Sequence, residues 1–160
     1  MAKHWTEDPA LLDAISGNLY DALPLLPKRL VRLDAITREF SMPFSHIQIM
    51  CVLSEGPMTI GNLSAALGIA KPNITPLIDN LNQRGLIERR RSETDRRIVN
   101  ISLRPEGTDM AARVRQRIAE QVLSWPGGFS NSDIKRLNNA LAYLIEVARV
   151  LAKAEDNQPI

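Results

Sequence analysis

The stretch that most constrains this chain lies between residues 59 and 103, where the hydrophobic period changes from helical to alternating at one glycine. Before Gly85, Ile74, Leu77, Ile78 and Leu81 recur at three- and four-residue intervals, which predicts one buried stripe on a helix over 71–84. After it, Leu86-Ile87-Glu88-Arg89 and Ile98-Val99-Asn100-Ile101-Ser102-Leu103 read as two strands, the second alternating through Ile101 and Leu103. Gly85 is expected to stop the helix in a left-handed C-cap. Upstream, Thr59 is placed to cap a short helix ending at Leu67, with Leu63, Ala66 and Leu67 facing inward, and Gly68 supplies the turn into the next helix. Helix, tight turn, helix and hairpin in that order predict a winged helix-turn-helix lobe over residues 42–104.

The flanks are helical. Residues 8–40 carry a helical pattern interrupted by Pro24 and Pro27, so a kink or short break is expected around 23–27. Ile47, Met50, Cys51 and Leu53 mark a helix over 45–53, ended by Glu55-Gly56-Pro57. Pro105 opens a helix with Met110, Val114, Ile118 and Val122 on one face, broken at Trp125-Pro126-Gly127-Gly128. The last helix, capped by Ser130 or Ser132, carries Ile134, Leu137, Leu141, Leu144, Ala148 and Leu151 in a three-four repeat. That seam is too long and apolar for one small protein to cover, which points to a second copy. The fold class expected is mainly α with a small β-hairpin wing (α+β), as one domain over 1–160. Helical dimerisation regions at 1–40 and 105–153 flank the lobe, and a flexible tail follows at 154–160.

A length of 160 residues with 44% hydrophobic content supports one core. The net charge of +2 hides a local excess: residues 71–104 hold eight Lys/Arg against four acids. The single cysteine, Cys51, excludes an intramolecular disulfide and a thiolate-rich zinc site, and fits a reducing cytosol. The opening MAKHWTEDP does not resemble a secretory signal, and no segment approaches the roughly 20 apolar residues of a membrane span. A cytoplasmic protein with no membrane contact is expected.

The lobe pattern assigns double-stranded DNA as partner. The first turn of the helix at Lys71 offers Lys71, Asn73 and Thr75 to base edges and phosphates, with Asn80 further along, although Pro76 costs that helix a backbone hydrogen bond. Arg89, Arg90, Arg91, Arg96 and Arg97 of the wing suit phosphates or a narrow minor groove, while Asp95 is placed as an internal partner that holds an arginine in position. Affinity carried by phosphate contacts falls steeply with salt.

The segment GLIERRRSETDRRIVNISLRPEG, preceded by TIGNLSAALGIAKPNITPLIDNLNQ, resembles the core signature of the MarR family of transcriptional regulators over about residues 42–108. The resemblance implies an obligate homodimer whose first and last helices interlock, a pseudo-palindromic operator, and repression usually relieved by a small phenolic or aromatic effector, an oxidant or occasionally a metal. It makes Arg97 the wing arginine that enters the minor groove, with Asp95 orienting it. Two departures stand out. Leu103-Arg104 replaces the usual Leu-Thr, so Pro105 helps define the next helix start. TPLIDNLNQRGLIERRRSE also resembles the organic-peroxide-sensing branch, yet the reactive cysteine which that branch carries in its first helix is missing here, which weighs against that mechanism.

Other candidates reduce to packing. Cys51 sits among apolar residues and is expected as a buried small hydrophobe rather than a redox switch. His46 is expected as a local hydrogen-bonding residue, and with no HxxxH pair neither metal nor cofactor is assigned. Trp5, Tyr20 and Trp125 are candidates for an effector cavity but better explained by packing. Asp8, Asp13 and Asp21 lack paired geometry and read as exposed helix charges. With no nucleophile-base pair and no phosphate-binding glycine loop, an enzyme is not expected. A winged helix turned protein-interaction module is the competing reading, and the positive wing argues against it.

Overall fold

The structure is a computed structural model that describes residues 8–92, 95 and 97–156, with side chains to residue 152. Trp5, Arg96 and the tail beyond residue 156 therefore lie outside the described residues. The elements run α1 (Pro9–Leu25), a π-helical turn (Leu26–Leu30), α2 (Leu33–Glu39), α3 (Phe44–Leu53), β1 (Met58–Thr59), α4 (Ile60–Leu67), α5 (Lys71–Gln83), β2 (Ile87–Arg91), β3 (Val99–Leu103), α6 (Pro105–Leu123) and α7 (Asn131–Asp156).

The caps follow local chemistry. Asp8 accepts from the backbone N–H groups of Ala10 and Leu11 at 3.0 and 3.1 Å. Thr59 Oγ1 accepts from Asn62 N at 3.1 Å, as its place before α4 predicts. Gly68 and Gly85 adopt φ of 61° and 71°, the left-handed region open to glycine, and so set both turns around α5. Ser130, not Ser132, caps α7: its backbone N–H reaches Asp133 Oδ2 at 2.9 Å while its hydroxyl accepts from Asp133 N at 3.1 Å.

The interruption in the first helical stretch falls later than its prolines suggest. Pro24 lies inside α1, and Pro27 lies in the π-helical turn, where Val31 N bonds Leu26 O at 3.2 Å. The wider turn takes up the chain without the hydrogen bonds that the prolines cannot make. The true break comes at Arg32, whose φ of 46° reverses the chain into α2.

The sheet is antiparallel in the order β1-β3-β2. Ile87 faces Leu103 and Arg91 faces Val99 in the hairpin, and Met58 faces Ile101 across the outer pair. β1 is absent from the sequence expectation because two residues are too few to show a period. One core holds the lobe together: Ile36 from α2, Ile49 and Met50 from α3, Leu63 from α4, Ile74, Ile78 and Leu81 from α5, Ile87 and Ile101 from the sheet, and Val114 from α6 are all buried. Ala66, expected inward, is exposed, because Leu63 and the half-buried Ala65 and Leu67 take the inner face of α4.

Of the glycines, Gly107 marks the tightest approach. The Arg104 N–H donates to Leu86 O at 3.0 Å, drawing the first turn of α6 onto the β2 entry so closely that a Cβ on Gly107 would lie 2.0 Å from that oxygen. Only glycine fits there.

Outside the core lie α1 and most of α7. α1 buries no residue, and Leu11, Leu12, Ile15, Leu19 and Leu23 share one exposed apolar face. Of the α7 seam, Ile134, Leu141, Leu144 and Leu151 are exposed and Leu137 is half-buried. α7 packs on α4, and Arg149 reaches Glu55 at 2.6 Å. No helix among the described residues is long and apolar enough to cross a membrane.

Candidate nucleic-acid interface

α5 presents a buried stripe and an open flank. Ile74, Ile78 and Leu81 anchor it, which leaves Lys71, Asn73 and Asn80 exposed. Asn73 N bonds Ala70 O at 2.8 Å, so the first turn is formed despite Pro72. Thr75 is half-buried and its hydroxyl donates to Lys71 O at 2.9 Å, turning it back onto the helix. Lys71 and Asn73 are therefore the side chains that the first turn holds out to a ligand.

The wing divides its arginines. Arg89 Nη2 donates to Asp79 Oδ1 on α5 at 2.5 Å, and Arg90 Nε donates to Glu88 Oε1 at 2.6 Å. Arg91 and Arg97 are exposed and carry no ion pair among the described residues. Asp95 does act on Arg97, but through the backbone: its Oδ1 accepts from Arg97 N at 2.9 Å, while Asp95 O accepts from Ile98 N at 2.9 Å. This local turn fixes where the Arg97 side chain leaves the chain, and the Asp95 carboxylate is spent on the backbone N–H. α5 and the wing thus both expose positive charge, and Asp79 joins them. Asp79 is a residue that sequence reasoning passed over: nothing marks an acid ten positions before Arg89 until the hairpin register is known.

Behind α5 lies His46 of α3. It is 6% exposed, and neither ring nitrogen has a hydrogen-bond partner of good geometry, contrary to the local bonding expected of it. Burial lowers its pKa, the Arg84 guanidinium adds to that, and the nearby Asn80 amide opposes it. Burial thus disfavours the charged ring in the wall behind α5.

A second feature is an open apolar cavity of about 520 Å³. It is lined by Leu26 and Pro27 of the π-helical turn, Val31 just after it, Leu33 and Ile36 of α2, and Val114 and Ile118 of α6. α3 contributes Phe44, Ile47, Gln48, Cys51 and Val52, and Leu67 brings in the last turn of α4. Cys51 is exposed on this wall rather than buried, because the helix face that carries it looks into open space and not into the core. Partial desolvation still pushes its thiol pKa up, which argues against a reactive thiolate. Neither Tyr20 nor Trp125 lines the cavity; Tyr20 is 76% exposed and Trp125 packs on Phe129 with ring centroids 6.2 Å apart. Tyr20 lies on α1 and Trp125 in the bend after α6, and neither position shows in the sequence which way the ring faces.

A three-helix core with α5 set against a three-stranded antiparallel wing is the architecture of a winged helix-turn-helix protein. Residues 48–99 match the MarR family. The chain is 34% identical over 89 residues to an uncharacterised HTH-type transcriptional regulator, YsmB of Bacillus subtilis, covering 56% of this chain and 61% of that protein, so the match spans under two thirds of the relative's length. The crystal structure of NadR in complex with 4-hydroxyphenylacetate superposes with a TM-score of 0.65 at 21% identity, over 83% of this chain and 93% of that one. The structure of reduced AbfR bound to DNA gives a TM-score of 0.54 at 20% identity, over 88% and 98%. YsmB is named as a regulator and not as an enzyme, in line with the sequence expectation.

Proposed function

We infer that this chain is a homodimeric, sequence-specific DNA-binding transcriptional regulator, a repressor whose operator binding is relieved by a small-molecule effector. The observation that carries the reading is the Asp79–Arg89 bridge, which ties α5, with Lys71 and Asn73 exposed, to a wing whose Arg91 and Arg97 carry no ion pair among the described residues. A recognition helix in the major groove with a basic finger beside it needs that rigid relation. The uncovered apolar faces of α1 and α7 supply the dimer contact, and residues 42–104 act as the reading lobe. Two copies then place their α5 helices about one duplex turn, roughly 34 Å, apart on a pseudo-palindromic operator.

The effector acts at the apolar cavity. Its wall joins the π-helical turn next to α1 to Leu67, the residue before the Gly68 turn, so an occupant bears on the link between dimer helices and reading head. It shifts binding only as far as it prefers the geometry that misplaces the two α5 helices.

The test is fluorescence anisotropy on the duplex immediately upstream of the protein's own coding sequence, at several salt concentrations. Binding that weakens with salt, with Asn73→Ala relaxing preference at one base position by about 1–3 kcal/mol, supports the reading. Absence of affinity for any duplex in dilute buffer sinks it and favours an interaction module.

A further inference from the structure

On the side away from Ile74, Ile78 and Leu81, α5 meets solvent along a row of narrow composition. Pro72, Asn73, Pro76, Asn80 and Gln83 are exposed there, and no lysine or arginine stands between Lys71 and Arg84. Spacings of three and four residues set Asn73 beside Pro76 and Pro72 in line with it. Pro76 lies inside the helix, where it cannot make the bond to Pro72 O, and its exposed ring is no part of the core. The chain gains nothing internal from this residue, so a gain has to come from a partner.

The charged groups bordering the row are committed. The Lys71 side chain lies back over the first turn of α4, with Nζ 3.9 Å from where a Cβ on Gly61 would stand, and Asp79 is held by Arg89. Arg84 ends the helix near His46, about 12 Å of helical rise beyond Pro76, and Asn80 stands by the same ring. The Asn73 amide has no side-chain partner among the described residues. In the major groove, guanine is read by a guanidinium or ammonium on O6 and N7, and cytosine by a carboxylate on its amino group. Around Pro76, α5 has neither to spare. An asparagine amide instead pairs with N6 and N7 of adenine, and an apolar surface packs on the thymine methyl. Asn73 and Pro76 are separated by about 4.5 Å of rise, against about 3.4 Å between stacked base pairs.

We propose that Pro76 is a specificity-determining residue, and that α5 reads two adjacent A·T pairs in each half-site. Asn73 takes the adenine of one pair through its amide, and the Pro76 ring covers the thymine methyl of the next. This inference rests on the DNA-binding reading above, and the experiment separates the two claims.

The full-length protein is used to select from a pool of duplexes with a randomised central segment. In the enriched duplex each thymine is then replaced in turn by deoxyuridine, which removes the C5-methyl and nothing else. The expected result is a pair of adjacent A·T positions in each half-site, with one thymine whose replacement weakens binding about fourfold, as the loss of one buried methyl group does. Pro76→Ala, an exposed change that restores a backbone donor, is expected to bind the thymine and uracil duplexes equally. Asn73→Ala is expected to relax the neighbouring adenine position and to keep the methyl effect. Half-sites without adjacent A·T pairs, uracil duplexes that bind as tightly as thymine ones, or a methyl effect that persists in Pro76→Ala would each overturn the assignment and leave DNA binding in place. If the pool yields no enriched duplex, the DNA-binding reading fails and the inference falls with it.

Discussion

Arg89 Nη2 and Asp79 Oδ1 lie 2.5 Å apart, joining the first wing strand, β2, to α5 across ten residues of chain. Both side chains are partly exposed, at 35% and 48%, so the pair adds under about 1 kcal/mol to stability. Its importance is geometric. An arginine already neutralised by a carboxylate displaces few counterions, whereas a free one displaces its full share.

The two wing arginines therefore separate in a salt titration. Arg97→Ala is expected to weaken binding across many sequences and to flatten the slope of log affinity against log salt by about one unit. Arg89→Ala is expected to leave that slope nearly unchanged and to erode the preference for operator over random duplex. Anisotropy titrations of both variants between low and physiological salt check this, and equal slopes for the two would remove the distinction.

His46 gives the fold a pH dependence of definite sign. Its folded pKa is lowered below the unfolded value of 6.5, by burial first and Arg84 second, so the unfolded chain binds the proton more readily. This contribution is intact above pH 6.5 and is lost as pH falls from there toward the folded pKa. Thermal melts at stepped pH should show a decline setting in below 6.5 that is smaller in His46→Leu, since the variant has no ring to charge. An identical decline in both proteins assigns the acid sensitivity to other groups.

Gly107→Ala tests the close approach of α6 to the β2 entry. A Cβ 2.0 Å from Leu86 O cannot be absorbed by a side-chain movement, because the obstructing atom is backbone. The first turn of α6 must shift from β2, at a cost of about 3 kcal/mol or more. Denaturant unfolding measures it; a loss under about 1 kcal/mol would mean that the two segments are less tightly joined.

The dimer reading makes its own demand. Leu19 on α1 and Leu141 on α7 are 59% and 38% exposed and lie on apolar faces that the chain leaves open. Placing a charge there with Leu19→Glu or Leu141→Glu is expected to shift the dimer toward monomer, read by sedimentation velocity across a dilution series, and to lower operator affinity in step. A dimer unaffected by both changes would locate the interface elsewhere.

Much of this architecture was legible residue by residue. The Ile74, Ile78 and Leu81 stripe, the left-handed turns at Gly68 and Gly85, the Thr59 cap and the paired wing strands follow from periodicity and turn chemistry within a few neighbours. The failures share one cause. The placement of the break at Arg32 rather than at Pro24 or Pro27 depends on how α2 seats against the core. The exposure of Cys51 and Ala66 depends on which elements arrive opposite their helix faces. β1 exists only because β3 offers it an edge.

The order of nearest neighbours along the chain is sufficient to decide where helices start, where they stop and which face turns inward, because these are contests between groups a few bonds apart. Which arginine stands free is a different kind of question. Asp79 claims Arg89, Glu88 claims Arg90, and Asp95 takes the Arg97 amide but not its guanidinium. In the sequence nothing sets Arg89 or Arg90 apart from Arg91 within one basic run. Only folding brings particular carboxylates within hydrogen-bond reach, and electrostatic attraction at contact distance then decides which charges remain for a partner.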